Sequence, residues 1–179
     1  MATRLTNAFQ LSLHILRAPD GELEHVDFLQ EELRDPTEDV ARLLGEHIDP
    51  KGSVVVWFAP FERGVNAEIA RRTLLPAAVM SRINAQLVDL REIFAGQHLV
   101  HPDFRGSTSI KAVLPVLVPE LSYKTLAIQE GGAATEVWWR MVTPETSLVE
   151  RASIAAALRE YCARLTRMRC KRSGGSCMR

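Results

Sequence analysis

Cysteine is scarce in this 179-residue sequence: Cys162, Cys170 and Cys177 are all there is, and all lie near the carboxyl end. An odd number closes no complete disulfide framework, and the two spacings fit no common zinc pattern. The chain is therefore not a disulfide-stapled scaffold, and a reducing, cytoplasmic setting is expected. Long apolar runs are also missing. No stretch approaches the roughly 18 apolar residues that a membrane-spanning helix needs. The opening Met-Ala-Thr-Arg-Leu-Thr-Asn-Ala has no apolar core of the signal-peptide kind. Net charge is absent too, with 22 basic and 22 acidic side chains. Nucleophile-elbow, P-loop and dinucleotide fingerprints do not occur. His14, His25, His47, His98 and His101 show no close metal-binding spacing among themselves.

What is present is ordinary globular material for one domain, 46% hydrophobic and 25% charged. The neutral balance hides an asymmetry. Residues 1–50 carry eleven acidic side chains against four basic ones, and residues 159–179 carry seven basic ones against Glu160 alone. The basic end reads either as a solvated helix terminus or as a source of phosphate contacts. A domain over residues 1–169 is expected, followed by a flexible basic Cys/Gly/Ser tail over 170–179.

The period-2 pattern of Phe9–Ile15 and Glu24–Leu29 predicts two strands joined around Asp20-Gly21. Thr37 or Asp35 caps a helix that runs to about His47, with Val40, Leu43 and Leu44 on its apolar stripe. Val54–Phe58 is apolar on both faces and suits a central strand covered by helices on both sides. Helical spacing resumes at Phe61, Val65 and Ile69. It continues in a helix opened by Pro76 that carries Val79, Ile83, Leu87 and Leu90. A short helix from Ser109 to Leu114 is expected, then a break at Gly131-Gly132, then a last helix over about Leu148–Arg169. Asp89 reads as a helix-end residue. Strands and helices in this order make an α/β fold.

Three places carry candidate chemistry. Glu62 follows the carboxyl end of the Val54–Phe58 strand, where ligand groups of open α/β sheets collect. It is suited either to a hard divalent cation or to the positive end of its own helix. In the stretch from His101 to Pro119, Gly106 permits a tight turn and Ser109 can cap the following helix. Arg105, Ser107 and Lys111 there have the chemistry of phosphate contacts, although an Ω-like structural loop fits equally. Ile154, Leu158, Tyr161, Leu165 and Met168 form one stripe of the last helix, so Tyr161 also reads as a core residue.

Two of these segments resemble known motifs. Ser53-Val-Val-Val-Trp-Phe-Ala-Pro-Phe-Glu62 and Leu158-Arg-Glu-Tyr161-Cys-Ala-Arg-Leu165 are similar to the second and third acidic motifs of DnaQ-like 3′–5′ exonucleases. The similarity is closest to an uncharacterised domain family of that RNase H-like superfamily, and the stretch His101–Pro119 matches it best. It spans roughly residues 9–168. The resemblance implies a mixed sheet flanked by helices and hydrolysis of nucleic-acid phosphodiesters with Mg²⁺ or Mn²⁺. Glu62 would be the catalytic and metal-binding carboxylate and Tyr161 a water-orienting group. Arg105, Ser107, Lys111 and Arg164 would contact nucleic acid.

The departures are as informative as the matches. Leu165 stands where the family has an Asp. Phe58 stands where relatives have an Asn. The Asp-x-Glu strand that should precede Phe9 is not in the sequence, so the first strand of the fold is expected to be missing. The expectation is a nuclease fold with a degenerate site. Three alternatives follow from it: an enzyme whose missing ligands come from another chain, a nucleic-acid- or protein-binding module that keeps only the fold, with weak nucleic-acid binding at most, or a fragment of a longer nuclease. A gap in the sheet would also favour self-association.

Overall fold

Alternating apolar side chains build the first two strands as expected. β1 (Gln10–Leu16) pairs antiparallel with β2 (Leu23–Leu29), in a register that sets Gln10 opposite Leu29 and Leu16 opposite Leu23. The computed structural model describes residues 8–74, 77–119, 126, 128 and 131–167, with side chains through residue 163. The expected flexible tail, the helix start at Pro76 and the side chains of Arg164, Leu165 and Met168 lie outside the described residues.

The hairpin is covered on both faces. Leu11, Leu13 and Phe28 point into a cluster with Val40, Ala41 and Leu44 of α1 (Thr37–His47). The same cluster takes Ile69 of α2 (Ala59–Arg72) and Met80 and Ile83 of α3 (Ala77–Ala85). On the other face Leu29 joins Trp138 and Met141 of α6 (Gly131–Val142), and Leu158 and Tyr161 of α7 (Leu148–Arg167). The period-2 geometry of the strands feeds both clusters from one hairpin.

Polar links hold the last helix in place. Gln10 Nε2 donates to the Leu158 carbonyl over 2.5 Å, and Arg159 pairs with Asp27 at 3.2 Å and with Glu31 at 2.6 Å. The Trp138 indole donates to the Gln30 carbonyl at 2.6 Å, which satisfies a buried N–H. Neither Asp35 nor Thr37 is the N-cap of α1: Pro36 takes that position without a side-chain cap, and Asp35 accepts from the Thr37 amide at 3.0 Å in the turn that leads into the helix.

Three other readings of the sequence need correction. Leu87 and Leu90 do not extend the helix that holds Ile83. Leu87–Asp89 is a three-residue strand, β4, parallel to β3 (Val54–Val56), with Val54 opposite Leu87 and Val56 opposite Asp89. Phe61 is not on the buried stripe of α2, because the cluster that covers Val65 and Ile69 does not reach the first turn, and its side chain is 64% exposed. Gly131 and Gly132 do not break the chain but form the first turn of α6. The remaining elements are α4 (Arg91–Ala95), a 3₁₀ turn (Pro102–Phe104) and α5 (Ile110–Leu117). The described residues thus form a mixed α/β architecture with two small sheets and seven helices. None of the described helices is long and apolar enough to cross a membrane.

Candidate functional site

The parallel pair β3–β4 ends at Val56 and Asp89, and the chain leaves both strands into helices on the same side. Asp89 organises this exit. One of its carboxylate oxygens accepts from the Ala59 amide at 2.9 Å, and the other accepts from the Arg91 amide at 2.9 Å. It therefore satisfies orphan donors at the starts of α2 and α4 at once, with its charge at two positive helix ends. A carboxylate committed in this way serves the backbone. Asp89 anchors the starts of two helices, and it terminates a strand where the sequence reading had the end of a helix.

Glu62 lies in the first turn of α2, half-buried. It stands near the end of β3 where the sequence placed it. Before it, Phe58 is the residue that turns strand into helix, and its ring is 41% exposed. The Arg91 guanidinium lies over that ring, 4.9 Å from its centre. Arg91 Nε donates to the Thr108 hydroxyl at 2.9 Å, and the Trp57 indole donates to the Thr108 carbonyl at 3.2 Å. These two bonds fasten the loop 101–109 against the strand ends. Aromatic contacts continue the join: Trp57 stacks on Phe94 with ring centres 5.3 Å apart, and Phe94 meets the buried Phe104 edge-on at 5.7 Å.

Loop geometry follows the sequence closely. Arg105 (φ 49°) and Gly106 (φ 73°) are both left-handed. The glycine relieves one of the two positions, whereas Arg105 adopts a conformation that costs a side-chain-bearing residue free energy. Ser107 Oγ accepts from the Ser109 amide at 3.2 Å, and Ser109 Oγ accepts from the Lys111 amide at 3.3 Å, capping α5. Arg105 is exposed at the turn, Lys111 is exposed on the first turn of α5, and Ser107 is half-buried.

Glu62 therefore stands on the helix that follows β3, and the loop that carries Arg105 and Ser107 is tied to the strand ends through Thr108, with Lys111 on the helix beyond it. Tyr161 belongs elsewhere in the packing. It is 9% exposed in the cluster with Leu29, Leu114, Trp138 and Leu158, whereas α2 packs in the other cluster. Arg164 is on α7, and its side chain is outside the described part. Sequence reasoning missed Trp57, Arg91 and Thr108, whose roles come from long-range bonds. The signal available in advance was Asp89 two residues before Arg91, an arrangement that favours a side-chain-to-backbone turn. Among the described residues there is no group of three or more His, Cys, Asp or Glu arranged to hold a metal ion.

This mixed α/β chain belongs to a family of domains of unknown function, DUF2779, whose sequence profile matches residues 6–109. The matched segment runs from the start of the hairpin to the cap of α5 and includes Glu62, Asp89, Arg91, Arg105, Ser107 and Thr108, with Lys111 just beyond it. No curated protein and no solved structure matches the chain.

Proposed function

We propose that this chain is a divergent RNase H-like domain of the DnaQ-like exonuclease type that has lost phosphodiester hydrolysis. The ancestral chemistry of such domains uses two metal ions held by several carboxylates at the ends of sheet strands. Glu62 is in the right kind of place, in the first turn of a helix after β3. The observation that carries the degenerate reading is Asp89. It is the carboxylate that ends β4 beside β3, and two backbone amides hold both its oxygens. With Leu165 in place of an Asp on α7, Glu62 alone is too few for Mg²⁺ or Mn²⁺, which take oxygen ligands in numbers. The carboxylates present do not fit a two-metal site, so no hydrolytic step is assigned to them.

Cleavage of labelled single-stranded DNA and RNA with Mg²⁺ or Mn²⁺ tests this reading. The purified chain is expected to give no metal-dependent products. Robust cleavage that Glu62→Gln abolishes would refute the loss of activity. The retained role is then recognition of nucleic acid without hydrolysis. Arg91 and Arg105 favour it, because both stand on the elements that leave the strand ends and neither guanidinium pairs with a carboxylate among the described residues, a state shared by Arg63, Arg82 and Arg151.

A further inference from the structure

We draw no further inference here: the strongest candidate, the cross-strand stack of His14 on His25 beside the buried Ser12 hydroxyl on the α7 face of the hairpin, carries nothing because the charged side chains in the last turn of α7 lie outside the described residues, and nothing in the structure shows what faces the two imidazoles from that helix.

Discussion

Asp89 joins three chain segments through one side chain, closing β4, holding the first amide of α2 and holding the first amide of α4. Removing it leaves two helix-start donors without their charged acceptor. Asp89→Ala is expected to cost about 2 kcal/mol, measured by denaturant unfolding, with Asp89→Asn losing less. A stability equal to wild type would mean that water replaces the carboxylate fully. Asp35 gives a pH-dependent counterpart. Partial burial pushes its pKa up, but the Thr37 hydroxyl and amide and the Arg72 guanidinium outweigh that and hold it below the usual range. A depressed carboxylate stabilises the fold above its unfolded-state pKa, and that contribution disappears as pH falls through the folded one. Asp35 is half exposed, so solvent screening keeps the effect to a few tenths of a kcal/mol. Unfolding midpoints of wild type and Asp35→Asn should differ at neutral pH and converge in acid. Asp35 was readable in advance because its partner is two residues away. Asp89 was only half readable, since Ala59 lies thirty positions back in sequence.

At the level of elements, the local signals were legible and the tertiary ones were not. The hairpin, α1, the Ser109 cap and α7 all appear where periodicity and capping chemistry place them. β4 was hidden because Ile83, Leu87 and Leu90 keep helical spacing, and a three-residue strand offers too short a pattern to outweigh it. Its identity comes from pairing with Val54–Val56, a contact that no local window contains. Phe61 failed for the opposite reason: its spacing from Val65 is right, but the first turn of α2 buries Ala59 and leaves Phe61 outside the cluster that covers Val65 and Ile69. Of the candidate site, Glu62 and the loop residues were legible from the strand end and the turn, whereas the Trp57–Thr108–Arg91 link was not. The Ser109 cap predicts a modest local effect. Ser109→Ala should destabilise by about 1 kcal/mol, read from the urea midpoint with an unchanged slope.

At the scale of the molecule, the two hydrophobic clusters share the hairpin and should unfold together. Leu158 is fully buried on one side and Val40 is 2% exposed on the other. Leu158→Ala is expected to cost about 2–5 kcal/mol, and Val40→Ala should be smaller because fewer methyl groups are lost. Both substitutions should lower the midpoint of one common transition, seen alike by tryptophan fluorescence and far-ultraviolet circular dichroism. Two separated transitions, each sensitive to one substitution, would show that the hairpin does not couple the clusters.

The Gln10–Leu158 bond and the Arg159 pairs join the hairpin to α7, the last made of the described helices. Their partners lie 148, 132 and 128 positions apart in the chain. A ribosome adds about 5–20 residues per second, so the hairpin waits on the order of ten seconds for α7 to be made. During that interval Leu29 and the Gln10 side of β1 have no α7 to cover them. The nascent chain therefore passes through a sticky stage set by the order of its own elements, and chaperones that shield apolar strands would act on it then.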